Sequence, residues 1–301
     1  FFGIFNWSQY PSCKLCINKY VGIANILNSI VTIYSEGKIY RQRYERGVSQ
    51  GPVEVVGKTD TDLIANETNV LGESIRVVRN RETSMGDLCA DSMVWGAREF
   101  LSATNYKDLH VVAMTNGGGV RANIEAGEIT IGDVYNVLPF GNTLSIKVAT
   151  PDVIYKALEF SIAELSLDEN NEVSGLVGSY PQISGMRFEM DLTKEPYEEG
   201  VCDGGRVVAV YLVAQDGTET LLSRSDKITP IAFASNNFLI AGGDGYTMLA
   251  DLKHIAEANV LDEVLADYIS LLTEEAGGCF SYKMDGNRSV EINWKNNYRF
   301  I

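Results

Sequence analysis

The stretch TNGGGVRANIEAGEITIGDVYNVLPFGNTL, residues 115–144, decides how this chain is read. Just before it, residues 110–114 form a short apolar run of the length of a buried strand. The run enters Gly117, Gly118 and Gly119, which let backbone pass close to a ligand and expose N–H groups. Arg121 follows, a planar donor fork suited to a phosphate. A tight turn beside a surface arginine has the same appearance, and the Walker spacing GxxxxGK[ST] is missing. Residues 127–133 read as a turn and short strand, 138–142 as a loop carrying Phe140, and 144–148 as a further strand.

Working outward, residues 85–104 read as a helix with Ser84 as N-cap and Leu88, Met93, Trp95 and Phe100 at apolar positions. Thr150-Pro151 opens another, with Thr as cap and Pro at the first helical position. Residues 185–190, 206–213 and 228–235 read as strands, and 261–275 as a last helix ended by Gly277-Gly278. Helices mixed with hairpin-connected strands predict an α+β fold, mixed sheets packed with helices, over a domain at 52–301. Residues 1–51 read as a linker-side segment. In it, Tyr20, Ile23, Ala24, Leu27, Ile30, Val31 and Tyr34 have helical spacing, so a helix is expected. The rival reading is a hairpin of 30–34 and 38–44 turning at Glu36-Gly37.

Composition narrows the chemistry. The chain has 301 residues, 45% hydrophobic and 22% charged, with no uninterrupted apolar run long enough to span a membrane. A net charge of −15 repels polyanions and argues against nucleic-acid binding. There are two histidines, His110 and His254, too few for a multi-histidine metal centre. His110 reads as a satisfied core residue and His254 as solvent-facing. The five cysteines are odd in number. Cys13 and Cys16 read as a local staple or two free thiols, since a zinc half-site would need a second close pair. The start at Phe1, without Met, reads as a processed or excised piece of something longer.

Two further groups could carry binding. Arg76, Arg79 and Arg81 stand before the helix at 85, where free N–H groups and the dipole favour an anion. The alternative is a solvated strand edge pairing with Glu73 and Glu82. Phe140 and Phe238 each sit beside Gly and Asn, as stacking platforms for a planar base or as core aromatics. Asp244, between Gly243 and Gly245, could accept from paired ribose hydroxyls or be an ordinary turn aspartate.

Taken together, RNRETSMGDLCADSM (79–93), the 115–144 stretch and FASNNFLIAGGDGYTML (233–249) resemble the C-terminal domain of 5′-nucleotidases over about residues 53–290. The resemblance implies a substrate-recognition domain of a phosphohydrolase that cleaves nucleoside 5′-phosphates. It implies that Arg79 and Arg121 grip the phosphate, that Asn116 and Gly118 line the same end, that Phe140 and Phe238 sandwich the base, and that Asp244 holds the ribose. It further implies a partner metallophosphatase domain with two divalent metals, usually zinc, and an extracellular, cell-surface or periplasmic location. The phosphatase signatures GNHD and GHxH are absent here, so this chain is expected to bind no metal and to be catalytically incomplete alone. The alternative is a stand-alone, non-catalytic nucleotide-binding or surface-interaction protein. Two departures from the family stand out. Ala241 replaces a commonly polar residue, and Val78 and Thr83 stand where some members have a cysteine pair.

Overall fold

The structure, a computed structural model, describes residues 30–35, 38–43 and 54–292. The chain divides into two compact units, Phe1–Val53 and Glu54–Ile301. In the first, β1 (Ile30–Ser35) and β2 (Lys38–Arg43) form an antiparallel pair with Ser35 opposite Lys38. Over 30–34, therefore, the hairpin reading holds and the helical one does not. The β-branched run Ile30-Val31-Thr32-Ile33 fits a pleated strand better than a helix. The rest of the expected helix, the linker at 45–52 and the Cys13–Cys16 spacing lie outside the described residues.

The second unit runs β3 (Val55–Thr59), β4 (Glu67–Thr68), β5 (Ser74–Ile75), α1 (Ser84–Leu101), β6 (Val111–Asn116), β7 (Gly127–Thr130), α2 (Ile131–Val137), β8 (Thr143–Ala149) and α3 (Pro151–Ser161). It continues through β9 (Ser166–Leu167), β10 (Val173–Ser174), β11 (Pro181–Ser184), β12 (Met186–Met190), β13 (Val207–Val213), β14 (Glu219–Leu221) and β15 (Ile231–Asn236). It ends with α4 (Asn237–Ile240), α5 (Thr247–Ala250), β16 (Lys253–Val260), α6 (Leu261–Glu275) and β17 (Ser289–Glu291). A five-stranded sheet has the order β11-β6-β15-β8-β16, and a four-stranded sheet the order β14-β13-β12-β17. β6 and β15 are parallel; β8 is antiparallel to both its neighbours. The fold is α+β, as expected.

Alternation along the central strands builds two cores. Val111, Ala113, Ala232 and Ala234 face one core, with Met85, Leu88 and Met93 of α1 and Val264 and Leu265 of α6. Val112, Met114, Ile231 and Phe233 face the other, with Ile154 and Leu158 of α3 and Phe188 and Val210 of the second sheet. Both faces of the sheet are thus covered, and every residue of β6 and β15 is buried.

Several local expectations change. Thr83, not Ser84, caps α1: its hydroxyl accepts from the Gly86 N–H, while Ser84 Oγ accepts from Ile64 N–H. The segment 131–137 is a helix opened by a Thr130–Asp133 capping box. The strands β11, β16 and β17 had no counterpart in the sequence reading. The loop between Val78 and Thr83, where a disulfide is absent, is held by Gln182. Its amide donates to Val78 O and Arg81 O and accepts from Thr83 N–H at 3.2 Å.

Candidate functional site

Asn116 and Asn236 end the parallel neighbours β6 and β15, and the chain leaves both strands on the same side of the sheet. Clefts beyond the carboxyl ends of parallel strands are where such sheets present loops to a ligand. Asn236 caps α4 by accepting from Leu239 N–H at 2.7 Å and donates to Asn116 Oδ1 at 3.3 Å. Asn116 in turn donates to Asp244 Oδ2 at 2.8 Å. This relay of two buried amides aims one exposed carboxylate. Asp244 takes a left-handed conformation, φ 51°. Gly243 before it is needed for packing: a Cβ there would lie 2.6 Å from the Phe238 ring.

A cleft of about 670 Å³ opens here, lined by Arg79, Asn116, Gly118, Phe140, Phe238 and Asp244 among others. Six of the seven residues expected from the sequence thus border one space. The two rings are open to it, Phe140 at 59% and Phe238 at 49% exposure, so neither is a core aromatic. The seventh, Arg121, flanks the cleft: its guanidinium lies 5.7 Å from the Phe140 ring centroid and donates to Gly118 O at 3.2 Å.

The three arginines before α1 separate into different roles. Arg79 borders the cleft, and its proton affinity is lowered by burial and by Arg121, with Asp244 opposing. Arg76 turns inward and donates to the carbonyls of Gly117, Gly118 and Val120 at 3.1, 3.3 and 2.7 Å. Burial, with Arg79 and Arg121 adding, pushes it down to about 10. Arg81 pairs with Glu67 on the surface.

The expectation that the glycines offer free N–H groups is corrected. Gly117 N–H donates to Tyr180 O, Gly118 N–H to Gly178 O and Gly119 N–H to Asn116 O. The glycines serve close packing, and the anion-binding potential of this end rests on guanidinium groups.

Phe160, Asn142, Glu164 and the 177–179 turn also line the cleft and were missed. Phe160 lies on α3 and makes an edge contact with the Tyr246 ring at 4.9 Å. In sequence it belongs to an apolar helical stripe, and only the tertiary packing brings it to the opening.

Among the described residues no group of three or more His, Cys, Asp or Glu could hold a metal ion. His110 Nε2 hydrogen-bonds Gly185 O at 2.8 Å, and His254 is exposed on β16. Among the described residues no helix is long and apolar enough to cross a membrane.

The fold places aromatic, carboxylate and guanidinium groups around one opening. The family described as "5′-nucleotidase, C-terminal domain" matches residues 55–251, and the chain belongs to that family. It is 33% identical over 234 residues to the trifunctional nucleotide phosphoesterase protein YfkN of Bacillus subtilis, covering 77% of this chain and 14% of that one. It is 28% identical over 200 residues to the bovine 5′-nucleotidase, covering 64% of this chain and 31% of that one. A Thermus thermophilus 5′-nucleotidase precursor superposes with TM-score 0.60 at 30% identity, covering 80% of this chain and 40% of that one. The chain therefore spans less than half the length of these relatives.

Proposed function

We propose that this domain recognises nucleoside 5′-phosphates for a phosphohydrolase that releases nucleoside and phosphate. Phe140 and Phe238 stack on the base, Asp244 accepts from the ribose hydroxyls, and Arg79 and Arg121 pair with the phosphate beside Asn116 and Gly118. The observation that carries this reading is the convergence of six residues, drawn from three separated motifs, on one cleft with Arg121 at its edge. The rings offer a π-face to any base, whereas the guanidinium groups give a planar fork for phosphate oxygens. In a protein of net charge −15, the cluster of Arg76, Arg79 and Arg121 supplies the local positive field an anion needs. The complete enzyme pairs this domain with a metallophosphatase domain holding two divalent metals, zinc in our reading. It works outside the cytoplasm, at the cell surface or in a periplasm.

Two results test this. Phe140→Ala and Phe238→Ala are each expected to weaken adenosine binding by about 1–3 kcal/mol, roughly 5- to 150-fold, measured by calorimetry. Unchanged affinity in both variants would remove the stacking roles. Separately, the 301-residue chain supplied with zinc is expected to release no phosphate from AMP, because its described residues group no metal ligands. Sustained zinc-dependent turnover by this chain would overturn that division of labour.

A further inference from the structure

We propose that Lys147 is a positioning residue for the nucleoside half of the cleft, its buried ammonium tying down the 238–250 segment that carries Phe238 and Asp244. This deepens the nucleotide-binding reading above and rests on it.

Lys147 is anomalous where it stands. It lies inside β8, whose Leu144 and Ile146 face one core, so the alternation turns Lys147 toward the other face of the sheet. It is only 7% exposed and forms no ion pair with any described residue. A buried ammonium must find acceptors or lose its charge. Lys147 finds three: Nζ donates to Ile240 O at 2.8 Å, Leu249 O at 2.9 Å and Ala250 O at 2.7 Å. An ammonium has three N–H groups, so every one is used.

The acceptors explain the consequence. Ile240 is the last residue of α4, and Leu249 and Ala250 are the last two of α5. Terminal helix carbonyls lack intrahelical partners and carry partial negative charge. One cation therefore ties the end of α4 to the end of α5, bracketing the arc between them together with α5 itself. That arc holds Gly242, Gly243 and Gly245, with Asp244 left-handed among them. So many glycines give the arc wide freedom unless its ends are fixed. Phe238 stands two residues before the first tether. Arg79 and Arg121, by contrast, come from segments that Lys147 does not touch.

That separation makes the role measurable. Adenosine and, separately, inorganic phosphate are titrated by NMR onto wild type, Lys147→Met and Lys147→Arg, with thermal melting alongside. Lys147→Met is expected to lose at least about tenfold in adenosine affinity while phosphate affinity stays within about twofold. Lys147→Arg keeps charge and donors but not the tripod geometry, and is expected to lose roughly threefold for adenosine and nothing for phosphate. Where Lys147→Met yields no folded protein, the arginine variant is decisive by itself. Wild-type adenosine affinity in a folded variant, or equal losses for both ligands, overturns the proposal while the reading of the site stands. Wild-type protein that fails to bind adenosine overturns both.

Discussion

Gly117→Ala is expected to destabilise the domain by about 3 kcal/mol, lowering the melting temperature by about 6–12 °C, and to reduce phosphate affinity more than about tenfold. A Cβ at this position would stand 2.1 Å from Val78 O, 2.9 Å from Val78 C and 3.2 Å from Arg79 Cα. All three are backbone atoms, so no side chain can swing aside. The loop cannot retreat either. Gly117 N–H is held by Tyr180 O at 2.7 Å, and Arg76 holds the carbonyls of Gly117, Gly118 and Val120. The 3₁₀ turn Val77–Arg79 must therefore shift, and Arg79 shifts with it. Gly178→Ala is the control for stability, because a Cβ there meets nothing within 4 Å. If Gly117→Ala melts with the control and binds phosphate like wild type, the close approach of these two backbones has no such consequence.

The same contact shows which part of the site was legible in sequence. Contiguous motifs were readable: Asn116 to Arg121, Phe140, and Phe238 to Asp244 each carry their signal within a few residues. What each motif does with its polar groups was not readable. The glycines looked like an exposed nest of N–H groups, yet Gly117 and Gly118 donate to Tyr180 and Gly178, some sixty residues on in the chain, and Gly119 turns back to Asn116. Arg76 and Arg79 share one cluster, and the resemblance alone set Arg79 ahead of Arg76; that Arg76 is locked to loop carbonyls while Arg79 borders the cleft had no local signal. Lys147 and Gln182 left no local trace, since their acceptors are 93 to 104 residues away.

The fold divides along the same line. The helix at 261–275 was legible because its apolar stripe is long and its end is marked by two glycines. β11 is four residues beginning with a proline, which reads as a turn. β16 is an edge strand with exposed Lys253, His254 and Glu257 and two register shifts, and its alternation is confined to Ala256–Val260, where the inward positions are two alanines and one valine, a weak strand signal. The helix α2 is seven residues with a glycine inside; its Thr130–Asp133 capping box was the signal that could have found it.

Asp87→Asn is expected to stabilise the protein increasingly as pH rises. Asp87 lies fully buried on α1, and neither carboxyl oxygen accepts a hydrogen bond from a described donor. Arg288 approaches to 3.5 Å, but its hydrogen bonds go to Asp91, Asp285 and Ile183 O. Glu82, the other acidic neighbour, is engaged by the N–H groups of Gly286 and Arg288. Burial, above all, pushes Asp87 up to about 9; Arg288 pulls it down, and Glu82 and Asp91 push it higher. The folded carboxyl therefore stays protonated, whereas in the unfolded chain it titrates near its ordinary 3.8. Between those two values the folded state retains a proton that the unfolded state has released. Stability then falls with rising pH, by up to about 1.4 kcal/mol per unit, and levels off above the folded value. Asparagine keeps the shape but has no proton to lose. Denaturant unfolding at pH 5 and pH 8 should show the variant gaining on wild type by up to about 4 kcal/mol across the interval. A difference that is the same at both pH values would mean that Asp87 ionises in the folded protein much as it does in the unfolded chain. The anchoring of the 285–288 segment to α1 would then be a meeting of charges, with Arg288 neutralising three carboxylates, rather than a junction built on one neutral acid.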